Sequence, residues 1–331
     1  MTAFSTSAAV PVLPTDYVSK PVLRADLSRV VDLLAACETI DQLEDNRSLA
    51  ELQRSFDLQP PKTVQRRRLW YDPSGCAVGY GHCAMWYEEG DTLEASPHIK
   101  VHPDHRSTGL ENTILSWCEQ QALEIQDQVV LWTGARDDRP HYGRLYERHG
   151  YRPVRQFRRL ALSLVEPTPA PQFPEGFTVR CCRGEADIDP WVAMFNQTFI
   201  DHWEFTPLLP ERRRYRIHHP TYRPELDWVA QSPTGTLAAF CGCHISPEAN
   251  ARTGRQEGWV ALLGTRRGFR RRGLARAMLL HGLQGLRQAG MTQALIGVDC
   301  ENPNQAERLY RSVGFQPDRT TLSYKKVLTR G

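Results

Sequence analysis

The sequence has no Cys-x-x-Cys pair, no apolar run long enough to cross a bilayer and little net charge. Each absence removes a class of protein. Nine cysteines, an odd number without paired spacing, suit neither a zinc site nor a disulfide framework, and they read as reduced thiols. No stretch approaches the roughly 20 apolar residues that a membrane span needs. The opening MTAFSTSAAVPVLP has no basic n-region and no sustained apolar core, so it reads as a short leader and the chain as cytoplasmic. A formal net charge of +3 over 331 residues gives no general pull toward nucleic acid or membranes, so any basic function must be local.

What is present describes a soluble globular chain of two domains, with 40% hydrophobic and 24% charged residues. The proline-dense Pro167–Gly176 reads as an extended connection. It predicts a leader at 1–16, a first domain at 17–165, a linker at 166–176 and a second domain at 177–331. A shift of 164 positions superposes Arg106 on Arg270, Gly109 on Gly273 and Leu110 on Leu274. Without a gap, the same shift carries Leu145-Tyr146 onto Leu309-Tyr310, Gly150 onto Gly314, Pro153 onto Pro317 and Arg155 onto Arg319. One offset kept across so many features indicates a tandem duplication. Within each half the hydrophobic periodicity predicts strand, helix, several strands, helix, strand, helix, strand. Turn residues predict hairpins at Asp72-Pro-Ser-Gly75 and Ser232-Pro-Thr-Gly235. The order is that of an α/β fold with a mixed sheet.

The stretch Leu262–Leu283 stands out. It runs from an apolar strand through arginines at 266, 267, 270, 271 and 272 to Gly273, and then into a long helix. Small residues in Arg270-x-x-Gly273-x-Ala275 let backbone amides approach an anion at a helix N-terminus, where the dipole favours negative charge. The arginines are equally readable as a solvated loop or a nucleic-acid contact, although the loop lacks the interleaved aromatics that a polynucleotide site would use.

The loop together with Val298-Asp-Cys-Glu-Asn302-Pro-Asn-Gln-Ala306-x-x-Leu309-Tyr310-x-x-x-Gly314-Phe315 and Asn196-x-x-Phe199-x-Asp201-His202-Trp203 resembles the GNAT superfamily of acyl-CoA-dependent N-acyltransferases, and within it the tandem, mycothiol synthase-like members. The resemblance covers nearly the whole chain after the leader and is stronger in the second half. It implies a seven-stranded mixed sheet per domain, with acetyl-CoA held as co-substrate where two central parallel strands splay. It also implies direct transfer to a primary amine, without a metal and without a covalent enzyme intermediate.

The resemblance further implies coenzyme contacts from Thr265, Arg270, Arg271, Arg272, Gly273, Leu274, Ala275, Asn302 and Ala306. Asn302 can equally be an ordinary turn starter. Tyr310 is implied as the acid that protonates the departing thiolate, against the alternative of a tyrosine packed between helix and sheet. Glu257 enters the central strand ahead of the arginine loop, where the family often places a base. Asp201 and His202 fall in the segment that shapes the acceptor pocket. In the first domain Glu111 stands where Ala275 stands in the second, putting a carboxylate where a diphosphate would lie, so that domain reads as degenerate. The expected function is acetyl-CoA-dependent N-acetylation of a small-molecule or peptide amine by the second domain, in a monomer or dimer. The alternative is a non-catalytic acyl-CoA-binding sensor or scaffold.

Overall fold

The computed structural model describes residues 16–87 and 92–330, which form two compact units, one of the described residues up to 154 with 323–330 and the other of residues 155–322. The first half of the chain runs β1 (Val18–Pro21), α1 (Leu27–Asp41), α2 (Leu49–Asp57), β2 (Thr63–Tyr71), β3 (Ala77–Tyr87), β4 (Leu93–Val101), α3 (Leu110–Leu123), β5 (Gln128–Arg136), α4 (Pro140–Arg148) and β6 (Arg152–Ser163). The second half runs β7 (Thr178–Cys181), α5 (Ile188–Phe199), α6 (Pro210–Ile217), β8 (Asp227–Gln231), β9 (Leu237–His244), α7 (Pro247–Thr253), β10 (Glu257–Thr265), α8 (Leu274–Gln288), β11 (Gln293–Asp299), α9 (Ala306–Val313) and β12 (Gln316–Thr329).

Local chemistry explains these elements. In α8 the buried Leu274, Ala277, Met278, Leu280 and Leu283 recur at helical spacing and give the helix one apolar face for the sheet. In α1 the buried Leu27, Val30, Leu34 and Cys37 do the same. Both hairpin turns close as their residues require, Gly75 N–H donating to Asp72 O and Gly235 N–H to Ser232 O, each at 2.9 Å.

Among the described residues the second unit has seven strands in the order β12-β6-β11-β10-β9-β8-β7, and the first has six in the order β1-β2-β3-β4-β5-β12. Sequence order puts β6 in the first half, but its partner is β11, in antiparallel register from Gln293↔Ser163 to Asp299↔Phe157. Ion pairs from Arg155 to Asp299 and from Arg158 to Glu307 reinforce that placement. The last strand supplies its opening residues to the second unit and those from Ser323 onward to the first. The compact units therefore part within these two strands, away from the proline-rich segment.

Each unit contains a parallel pair, β4/β5 in the first and β10/β11 in the second. The registers Leu93↔Val129 and Glu257↔Gln293 are related by the same 164-residue shift seen in the sequence. In the second unit this ladder runs only to Val260↔Ile296, and β10 bulges against β9 between Val260 and Leu262. A bulge bends its strand, and the carboxyl ends of β10 and β11 are left apart. The core of the unit lies between this sheet and α8, α9 and α5, around Leu279, Leu283, Phe315, Trp191 and Phe240.

Candidate active site

Where β10 and β11 part, a cavity of about 630 Å³ opens, walled by the end of β10, the arginine loop, the start of α8, the end of β11 and the start of α9. Gly264, on its β10 side, allows close packing behind the cavity wall, since a Cβ there would meet Thr198 Cγ2 at 2.4 Å and Phe240 Cζ at 2.6 Å. At the loop, Arg271 (φ +61°) and Gly273 (φ +84°) adopt left-handed backbone conformations, and no atom lies within 4 Å of where a Cβ on Gly273 would be. Such alternation turns successive amides inward and makes an anion-binding concavity. The N-terminus of the 15-residue α8 adds its dipole.

The guanidinium of Arg270 serves the loop itself. It donates to Thr265 O at 3.3 Å, to Thr198 O at 2.8 Å and to Asp201 Oδ2 at 2.9 Å. Arg267 also pairs with Asp201, and the hydrogen bond from Arg270 is foremost in holding the Asp201 carboxyl below its ordinary range. The first unit repeats this device, with Arg106 donating to Val101 O at 3.2 Å and pairing with Asp41 at 2.7 Å. An arginine at this position therefore fixes the loop to its strand and to the C-terminal end of the first helix of its half, α5 or α1.

Of the residues expected from the sequence, Thr265, Arg270, Arg271, Gly273, Leu274, Ala275, Asn302, Ala306, Tyr310 and His202 line this cavity. The buried Thr265 hydroxyl has no hydrogen-bond partner among the described residues. Tyr310 is 7% exposed, and burial pushes its phenol above the ordinary range. Arg272 lies over the Phe269 ring at 5.7 Å, and Asp201 stands behind the loop as its anchor. Glu257 is elsewhere, at the opposite end of β10, where it pairs with Arg255 at 3.2 Å while its backbone is clasped by Asn250. Among the described lining residues the one carboxylate is Asp299, which Arg155 holds at 2.8 Å.

Sequence reading named Ala306 but overlooked the small residues Gly264 and Gly297 beside it. The repeat carried the signal, because the 164-residue shift puts Lys100, Thr133 and Tyr142 at these positions in the first half. There the side chains fill the space. Lys100 pairs with Asp45 at 2.7 Å and lies 5.7 Å from the centre of the buried Tyr142 ring, and the Thr133 hydroxyl donates to Pro97 O at 3.5 Å. Glu111, 4% exposed, accepts the Ser107 N–H at 3.3 Å and lies 3.5 Å from His141. Burial opposes its charge, but the bonds from His141 and from backbone N–H groups prevail and hold the carboxyl below its ordinary range. The space left at this loop is about 160 Å³.

A mixed sheet that splays beside an anion-binding helix N-terminus, with a buried phenol on the wall of the gap, is the geometry of a GNAT-type N-acyltransferase. Comparison with known proteins agrees. A family profile described as "Acetyltransferase (GNAT) family" matches residues 190–315. The mycothiol acetyltransferase of Thermobispora bispora is 32% identical over 232 residues, 70% of this chain and 76% of that protein. The mycothiol acetyltransferase of Saccharomonospora viridis is 26% identical over 300 residues, 86% and 95% of the two chains. Among solved structures, a GCN5-related N-acetyltransferase from Sphaerobacter thermophilus superposes with a TM-score of 0.76 at 26% identity, covering 97% of this chain and 98% of that one. A tandem GNAT protein from the clavulanic acid biosynthesis pathway also gives 0.76, at 14% identity with 94% and 98% coverage, and shares the fold. The chain belongs to the GNAT acetyltransferase family, as a two-domain N-acetyltransferase. That family uses acetyl-CoA as its co-substrate.

Proposed function

We propose that the protein transfers an acetyl group from acetyl-CoA to a primary amine in the cleft of its second domain, residues 177–331, with the first domain, residues 17–165, degenerate. The observation that carries this reading is the contrast between the two copies of one loop. The second has Ala275 and an open cavity, whereas the first has Glu111 with its own carboxylate on a loop amide.

The residues present suit a diphosphate-bearing thioester. The amides of Arg271–Ala275 and the Thr265 hydroxyl offer donors, Ala275 and Ala306 leave room, and Arg271 and Arg272 bring charge to the rim. Acetyl-CoA would supply the activated acetyl group. Tyr310 Oη holds a proton at the wall of the cavity, kept there by burial, and in this reading gives it to the leaving sulfur. The amine brings its nitrogen to the opposite side, near His202.

Calorimetry tests the site. Ala275→Glu, which copies the first loop, is expected to abolish measurable acetyl-CoA binding while leaving the thermal unfolding transition in place. Undiminished binding would overturn the assignment. Release of free thiol in a screen of amines separates the enzyme from a coenzyme-binding scaffold, which would bind tightly and turn nothing over.

A further inference from the structure

Two polar side chains meet at the cleft in a way that fixes a proton. Asn302, in the turn after β11, accepts the Asn304 N–H on Oδ1 at 2.8 Å, so its other end is committed as well. That end, Nδ2, lies 3.1 Å from His202 Nε2. An amide nitrogen only donates, so Nε2 must be the lone-pair nitrogen of the ring. The ring proton is then on Nδ1, which no described residue engages. Phe199 packs against the imidazole edge-on at 4.9 Å, and both rings line the cavity.

We propose that Asn302 is a positioning residue that holds His202 as a neutral Nδ1–H donor for the acceptor, which binds there through a hydroxyl, carbonyl or carboxylate oxygen near its amine. The charged groups around His202 are Asp299, Arg155, Arg270 and Asp201. Burial is the main influence and lowers its proton affinity; Asp299 and Asp201 oppose this, while Arg155 and Arg270 add to it. The ring is therefore neutral at neutral pH, and with Nε2 tied to Asn302 it serves binding rather than proton abstraction. The tautomer stands on the hydrogen bonds alone. Only the identity of what the donor binds rests on the transferase reading.

Nitrogen-15 NMR of the full-length protein with labelled histidine, His202 assigned by His202→Gln, reads the tautomer directly. The expected result is a protonated Nδ1 and an unprotonated Nε2. Asn302→Asp, whose carboxylate can only accept, is expected to move the proton to Nε2. It is also expected to raise KM for 2-aminoethanol on the order of tenfold, with kcat within about twofold, the loss of one hydrogen bond. Propylamine, of similar size without the oxygen, should show no such rise. A proton on Nε2 in the wild type overturns the proposal, as does an unchanged KM for 2-aminoethanol in Asn302→Asp. Silence toward both amines counts against the transferase reading, while the tautomer is read from the same sample regardless.

Discussion

At the scale of single residues, the chemistry turns on one proton and on where the carboxylates stand. Tyr310 has no hydrogen-bond partner for its hydroxyl among the described residues, lines the cavity and is raised above the ordinary range by burial. A raised phenol stays protonated through neutral pH, as an acid must. Tyr310→Phe should lower kcat about 10²- to 10³-fold with little change in acetyl-CoA affinity. In the wild type the alkaline fall in kcat should lie above pH ~10, where an ordinary tyrosine titrates. A pH-rate profile of both forms checks this, and a Phe variant that keeps its rate would remove Tyr310 from the mechanism. Glu257 gives the contrasting case. Its pairing with Arg255 at the far end of β10 predicts that Glu257→Gln changes the steady-state rate by less than about threefold. A loss near that of Tyr310→Phe would mean that a chain of water carries the amine's proton to it.

At the scale of elements, what was legible in the sequence was whatever carried an apolar period or a turn signal. The β10-loop-α8 unit was legible because an apolar strand, a glycine and an amphipathic helix follow one another, and β4 because its burial alternates strictly. The helix α6, PERRRYRI, was not, because it has almost no apolar stripe. It is held by its buried Arg213, which pairs with Asp227 at 2.5 Å and lies 3.9 Å from the Trp191 ring, a tertiary contact that no local pattern announces. The partners of β6 were hidden for the same reason, since strand pairing across the chain leaves no periodic trace. The base of α5 carries a pH-dependent tie of this kind. Asp187, its side chain 1% exposed, accepts the Arg183 N–H at 2.8 Å and pairs with Arg180 at 2.6 Å. Burial opposes the charge, but the bonds from Arg180 and Arg183 prevail and bring the carboxyl down to about 2. A folded value below the unfolded one of about 3.9 stabilises the protein fully above that pH, and the contribution is lost as pH falls toward 2. Between pH 4 and 2 the wild type should therefore lose stability more steeply than Asp187→Asn, as read from urea midpoints. Parallel curves would show that this carboxylate does not drive acid unfolding.

At the scale of the whole molecule, duplication has left two copies of one loop with different contents, and the difference makes coenzyme stoichiometry a prediction. Both loops keep the backbone of an anion cradle, Ser107 (φ +64°) and Gly109 (φ +93°) matching Arg271 and Gly273. The first has lost the space. Glu111 places a fixed negative charge on the Ser107 amide, and a bound diphosphate would have to displace it and bear the repulsion. Tyr142 occupies the position of Ala306, and Tyr146, the counterpart of Tyr310, is sealed in a tyrosine cluster, where burial pushes its phenol up to about 12. The wild type should therefore bind one acetyl-CoA per chain. Removing the charge alone by Glu111→Ala leaves Tyr142 in the way and should add little. Glu111→Ala with Tyr142→Ala should open a second, weaker site, seen in calorimetry as a rise from one to two equivalents. In that double variant a further Ala275→Glu should bring the count back to one, with the stronger site gone. Two equivalents in the wild type would mean that the loop around Glu111 opens to admit a phosphate. One equivalent in the opened variant would mean that other packing in the first unit closes the cleft.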